Sequence, residues 1–204
     1  MTKVKICGLR RSEDVEYVNR LRPDFVGFVF APASRRFVSC DFAAELKEAL
    51  DSNIPAVGVF VDAPLRDVVS LVERHTIDMI QLHGFENDEY IAQLRALCNV
   101  PVIQAFSVSK SEDVERVRNS KADFVLLDNG SGGTGATFDW SLASEIGRPF
   151  FLAGGLSPDN VSRAISLTKP FAVDVSSGVE VDGVKNFEKI RDVITLVRNA
   201  DGDL

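Results

Sequence analysis

Val4-Lys5-Ile6-Cys7-Gly8 opens the chain on an apolar run that stops at a cysteine followed by glycine. A strand ending this way can present a thiol at the rim of a sheet, with a backbone behind it that tolerates close approach. The thiol also has a plain structural reading, because a free Cys packs as a small hydrophobe. Seven further runs of the same kind follow: Asp24 to Phe30, Ala56 to Val61, Ile77 to Leu82, Pro101 to Phe106, Ala122 to Asp128, Pro149 to Ala153 and Phe171 to Val175. Strands that are near-continuously apolar belong to parallel sheets buried on both faces.

Helix-like segments separate these runs. Ser12 followed by Glu13 and Asp14 reads as an N-cap with acid in the first turn. Amphipathic helices are expected over Asp41 to Leu50, about Asn87 to Leu97, about Ser111 to Asn119 and about Phe187 to Arg198. Pro64 and Pro158 open two others, where a missing N–H costs little. A short helix is expected near Trp140 to Ile146, and the tail from Ala200 to Leu204 should fray. Strict alternation with right-handed crossovers leaves an open doubly wound sheet or a closed barrel. Eight evenly spaced units favour a single α/β domain over residues 1–204, a compact (β/α)₈ TIM barrel. Similar openings at Asp24, Asp78 and Asp123 hint at a repeated two-strand unit.

The composition is that of a soluble globular protein, with no apolar stretch long enough to span a bilayer and no secretory signal. A net charge of -7 argues against a nucleic-acid or anionic-membrane partner, but not against a small anionic substrate bound by backbone dipoles. Cys7, Cys40 and Cys98 form no CxxC pair, so neither a disulfide framework nor a zinc site is expected, and a reducing cytoplasm fits. Cys40 and Cys98, near or on helices, read as packing residues.

In such a barrel the chemistry lies at the C-terminal strand ends. Those ends read Cys7, Phe30, Val61, His83, Phe106, Asp128, Gly154-Gly155 and Ser176-Ser177-Gly178. Asp128 there is either an N-cap or an acid/base. His83 has no ligand cluster around it, which makes metal binding unexpected and favours a supporting role over direct catalysis. The run Gly130 to Gly135 matches GxGxxG, but Phe138-Asp139-Trp140 follows where a dinucleotide site needs a long helix. It reads as a surface loop or as a loop closing over a ligand. Gly154, Gly155, Ser177 and Gly178 suit a phosphate held by backbone amides. Asp174 shares a face with Ala172 and Ser176, inside the barrel, and Lys5 on the adjacent first strand is its expected partner. Arg35 and Arg36 follow the second strand, where one guanidinium could grip a carboxylate.

Taken in order, these motifs resemble the phosphoribosylanthranilate isomerase family over essentially the whole chain. They are Lys5-Ile6-Cys7-Gly8, Gly27-Phe28-Val29-Phe30 with Pro32, Ser34 and Arg36, Val57-Gly58-Val59-Phe60 and Gln81-Leu82-His83-Gly84. Leu127-Asp128, Gly132-Gly133-Thr134-Gly135 with Phe138-Asp139-Trp140, Ala153 to Leu156 and Val173 to Glu180 continue the series. The resemblance implies the Amadori rearrangement of N-(5-phosphoribosyl)anthranilate in tryptophan biosynthesis, without cofactor or metal. It implies Cys7 as general base, Asp128 as general acid and Arg36 at the anthranilate carboxylate. Phosphate would lie between the loops carrying Gly133, Thr134 and Gly135, Gly154 and Gly155, and Ser176, Ser177 and Gly178. His83 and Asp174 would line the site. Two other readings stand beside this one. A related isomerase of histidine biosynthesis would carry Asp where Cys7 stands, and a non-catalytic phosphate-binding barrel would have no use for Cys7 and Asp128 together.

Overall fold

Each of the eight apolar runs forms a strand in the computed structural model, which describes residues 1–108, 110–128 and 140–200. The strands are β1 (Lys3–Cys7), β2 (Phe25–Val29), β3 (Ala56–Phe60), β4 (Met79–Leu82), β5 (Val102–Ser107), β6 (Phe124–Asp128), β7 (Phe150–Leu152) and β8 (Ala172–Val175). They are parallel and close in chain order, with β8 returning to β1 so that Lys5 and Asp174 are register partners. Around them run α1 (Ser12–Leu21), α2 (Cys40–Ala49), α3 (Leu65–Glu73), α4 (Asp88–Leu97), α5 (Ser111–Asn119), α6 (Val161–Thr168) and α7 (Phe187–Ala200). None of these helices is long and apolar enough to cross a membrane.

The period of two sorts each strand. Val4, Ile6, Val26, Phe28 and Val173 face outward into the core shared with the helices. Phe25, Val57, Met79, Ile103, Leu126 and Phe151 fill the interior. At the mouth, Cys7 packs with Val29, Ala31 and Val59. Between interior and mouth the barrel holds Lys5, Gln81 and Asp174, all buried.

The repeated aspartates have a definite job. Asp24, Asp78 and Asp123 each precede an even strand, and each carboxylate accepts the backbone N–H of the odd strand before it: Val4 at 2.9 Å, Ala56 at 2.7 Å and Val102 at 2.8 Å. Each is also paired with a cation, Lys3, Lys47 and Arg95 respectively. The carboxylate thus terminates the ladder of one strand while starting the next. The unit lapses at β8, where Phe171 stands and takes Phe150 O as acceptor.

The short helix expected between β6 and β7 is present as a 3₁₀ helix, Trp140–Glu145. Three local expectations need correction. In α1 the cap position is Arg11, and Asp14 accepts the Arg10 N–H in place of a Ser12 cap. Pro158 lies in a turn before α6, because Asn160 takes the Ser157 N–H and donates to Gly155 O. Cys40, the first residue of α2, is exposed and packs into no core. A two-stranded hairpin, β9 (Glu180–Val181) with β10 (Val184–Lys185), follows β8 and was not expected.

Asp174→Ala leaves the buried Lys5 ammonium without its 2.7 Å partner. Removing one member of a buried pair costs about 3–5 kcal/mol. Thermal unfolding of the variant should begin on the order of 10 °C lower, and an unchanged midpoint would show that Lys5 finds other compensation.

Candidate active site

Cys7 is the last residue of β1 and 8% exposed, so the thiol sits just beneath the mouth. Burial, then the Asp174 carboxylate, pushes its pKa above the usual thiol value. Lys5 and Lys185 pull in the other direction without overcoming this. Burial also opposes the charge on Lys5, but Asp174 and Cys7 outweigh it and hold the ammonium pKa above normal. The raised value favours a neutral thiol, set beside the Lys5–Asp174 ion pair. The pairing expected from alternation is present, at 2.7 Å.

A chain of polar groups leaves this pair and crosses the barrel. Lys5 Nζ donates to Gln81 Oε1 at 2.8 Å, and Gln81 Nε2 lies 2.9 Å from His83 Nδ1. His83 Nε2 is 3.4 Å from Asp128 Oδ2. Asp128 ends β6, and among the described residues its Oδ1 is buried without a hydrogen-bond partner. His83 and Asp128 share the wall of an open groove with Phe85, Phe106 and Ser107.

Arg36 approaches from the loop after β2. Its side chain passes directly over Gly8, whose φ of +84° suits glycine, and a Cβ there would collide with the arginine stem. The guanidinium is held by Glu180, Nε to Oε1 at 2.6 Å and Nη2 to Oε2 at 2.9 Å. This uses one edge of the fork and leaves the Nη1 edge for another carboxylate. Lys185 binds Glu180 Oε1 at 2.8 Å, and Arg35 reaches Oε2 at 3.2 Å. Burial works against the Glu180 charge, but Arg36 and Lys185 prevail and hold the carboxyl below its ordinary range. For Lys185 burial wins over Glu180, and its pKa lies below that of a free lysine.

The hairpin makes this possible, since Glu180 and Lys185 are register partners across β9 and β10. Lys185 also donates to Ser176 O at 3.0 Å, and Ser176 Oγ donates to Cys7 O at 3.0 Å. The loops after β7 and β8 meet closely: a Cβ on Gly178 would strike the Leu156 carbonyl. Gly154 and Gly155 both have positive φ, and Ser177–Val179 forms a single 3₁₀ turn. Gly133, Thr134 and Gly135 lie outside the described residues. The structure thus brings Asp174, Lys5, Gln81, His83 and Asp128 into one network beside Cys7, and Arg36, Glu180 and Lys185 into a second, the two meeting at Ser176. The sequence reading missed Glu180, Lys185 and Gln81 as parts of the site. Gln81 was within reach of it, since it lies two residues before His83 and so on the same strand face.

The fold and this mouth define a (β/α)₈ barrel with its titratable groups gathered at the carboxyl ends of the strands. Residues 4–196 match the family model described as N-(5'phosphoribosyl)anthranilate (PRA) isomerase, and the chain belongs to that family. It is 46% identical over 215 residues to N-(5'-phosphoribosyl)anthranilate isomerase of Acetivibrio thermocellus, covering 99% of this chain and 98% of that one. The crystal structure of phosphoribosyl anthranilate isomerase from Thermotoga maritima is similar with a TM-score of 0.88 and 38% identity, over 99% of this chain and 100% of that one. Another similar structure, of a phosphoribosyl anthranilate isomerase in complex with reduced 1-(o-carboxyphenylamino)-1-deoxyribulose 5-phosphate, has a TM-score of 0.85 and 37% identity, over 99% of this chain and 100% of that one.

Because the Glu180 carboxyl is depressed when folded, it contributes stability above its unfolded value of about 4.3. That contribution is lost as pH falls through the lower folded value. Glu180→Gln should therefore be less stable than the parent at neutral pH by about 1.5–3 kcal/mol, the worth of a hydrogen bond to a charged group. The gap in urea midpoints should close as pH drops below about 4. A gap independent of pH would show that charge at Glu180 does not matter.

Proposed function

We propose that the chain converts N-(5'-phosphoribosyl)anthranilate to 1-(2-carboxyphenylamino)-1-deoxyribulose 5-phosphate in tryptophan biosynthesis, with Cys7 as general base and Asp128 as general acid. One observation carries the division of labour. Cys7 ends β1 and Asp128 ends β6, so the two groups face the same mouth from separate parts of the rim. The reaction needs that separation. One group protonates the ribose ring oxygen so that the ring opens to a Schiff base, and the other takes the C2 proton to give an enolamine that tautomerises to the ketose. Hydrogen moves within one molecule, aldose becoming ketose, so the overall change balances without an external oxidant or reductant.

Family membership and the neighbour solved with the reduced product support this reading. So does the setting of each group. Arg36, held at one edge by Glu180, offers its other edge to the anthranilate carboxylate. The aromatic ring would rest on the apolar lip of Val29, Ala31 and Val59 beside Cys7. Phosphate would lie where the loops of Gly154 and Gly155 and of Ser177 and Gly178 converge, with the loop of Gly133, Thr134 and Gly135 as a third wall. A sugar between these anchors would have its C2 toward the thiol. Asp174 acts through Lys5, balancing the ammonium that faces Cys7.

The decisive assay mixes purified protein with freshly made phosphoribosylanthranilate and follows the loss of anthranilate-type fluorescence. Cys7→Ser and Asp128→Asn should each lower kcat by on the order of 10² to 10⁴ with smaller changes in KM. A Cys7→Ala variant with near-normal kcat would return the thiol to a packing role.

The pH dependence has a definite sign. A base must be deprotonated, and the Cys7 pKa is raised above the usual thiol value. In the free enzyme the thiolate fraction is therefore small at neutrality and grows as pH rises through about 8.5 and beyond. Alkylation by iodoacetamide should accelerate over the same range. A rate of Cys7 alkylation that stays flat from about pH 7 to 9 would show that the thiol does not titrate in this range.

A further inference from the structure

Lysine only donates hydrogen bonds, so the atom of Gln81 that faces Lys5 Nζ at 2.8 Å has to be the amide oxygen. The amide nitrogen is then the atom 2.9 Å from His83 Nδ1, and an amide nitrogen only donates. His83 Nδ1 must accept, which puts the ring proton on Nε2, the atom facing Asp128 Oδ2 at 3.4 Å. Orientations of amides and imidazoles are ordinarily assigned by network. Here a buried ammonium, 0% exposed and anchored by Asp174, fixes the direction of every step.

We propose that Gln81 is a positioning residue of the reaction, holding His83 in its Nε2–H form so that Asp128 keeps its transferable proton on Oδ1. This rests on the reading of Asp128 as the general acid. The consequence is chemical. An imidazole with a bare Nε2 would accept the proton of a neutral Asp128 and compete with the sugar for it. With Nε2–H in place, Oδ2 is offered a donor, and the proton belongs on Oδ1, the oxygen that is buried and unpartnered among the described residues. After the proton passes to the ring oxygen, the Asp128 carboxylate is left facing an N–H it can accept. The 3.4 Å contact is long for a hydrogen bond, as contacts between catalytic groups often are before substrate binds. The amide in the chain cannot hand a proton on while keeping its amide form, so Lys5, Gln81 and His83 transmit orientation and not protons.

The test reads the tautomer directly. The chain has two histidines, His75 and His83. His75 has a φ of +55°, which asparagine adopts readily, so His75→Asn leaves one imidazole to observe. In the full-length, ¹⁵N-histidine-labelled protein, His83 should show a pyridine-type Nδ1 and a pyrrole-type Nε2. Gln81→Glu, which accepts from both Lys5 and His83, should move the proton to Nδ1. It should lower kcat by on the order of 10²-fold, the cost of a misplaced group, while KM stays within a few-fold. Gln81→Met should give a mixture of tautomers and an intermediate kcat. A protonated Nδ1 in the parent, a tautomer unmoved in Gln81→Glu, or an unchanged kcat in that variant would each overturn the proposal. The parent spectrum needs no substrate and no Gln81 variant. A protein that shows the expected tautomer yet fails to turn over phosphoribosylanthranilate would defeat the functional reading instead, and the two failures stay distinct.

Discussion

A charged lysine inside a barrel constrains everything around it. Lys5 has no exposed surface, and its ammonium is met by Asp174 at 2.7 Å and Gln81 at 2.8 Å. A buried ion pair rarely gains stability over well-packed apolar side chains, because desolvation consumes most of the attraction. Its value here lies in what the pair fixes. Asp174 and Lys5 are register partners across the β8–β1 seam, so the charges meet where the sheet closes on itself. The same ammonium faces the Cys7 thiol and sets the Gln81 amide. One cation thereby orients groups on β1, β4 and β8 at once.

The second ionic network is built differently. Glu180 comes from a hairpin of two-residue strands, outside the barrel's own sheet. It gathers Arg36, Lys185 and Arg35, three cations around one carboxylate, and so it stays ionised despite burial. The two networks meet at Ser176, whose hydroxyl donates to the Cys7 carbonyl and whose carbonyl accepts from Lys185. A shift of the hairpin would be felt at both Arg36 and the backbone of Cys7. That coupling holds the proposed carboxylate grip and the proposed base in one frame.

Legibility in the sequence followed the range of the interaction. The strands could be read because a strand buried on both faces shows itself as an apolar run, and period-two alternation was enough to pair Lys5 with Asp174. The aspartate repeat was visible as letters, and its meaning needed the structure, since Asp24 caps a strand 20 residues earlier. The hairpin was illegible because two-residue strands carry no periodicity. The segment Trp140–Glu145 is helical but too short for an amphipathic stripe to separate α from 3₁₀. Glu180 escaped because it lies 144 residues from Arg36, and nothing local marks a glutamate as one that holds an arginine in place.

The two ends of the barrel spend their charges in different ways. At the N-terminal rim Asp24, Asp78 and Asp123 each bind a backbone N–H and a surface cation, and two of those cations are well exposed. Such pairs contribute little individually, and their effect is to end one strand and begin the next. At the C-terminal mouth Lys5, Asp174, Glu180 and Lys185 are buried and the charges are shared: Lys5 between Asp174 and Gln81, Glu180 among three cations. Sharing makes each position depend on the others, so a change at one group reorients its neighbours. The rim with independent pairs can drift without consequence for chemistry. The mouth cannot, because there the direction of each hydrogen bond is dictated by the next, back to a lysine that can only donate.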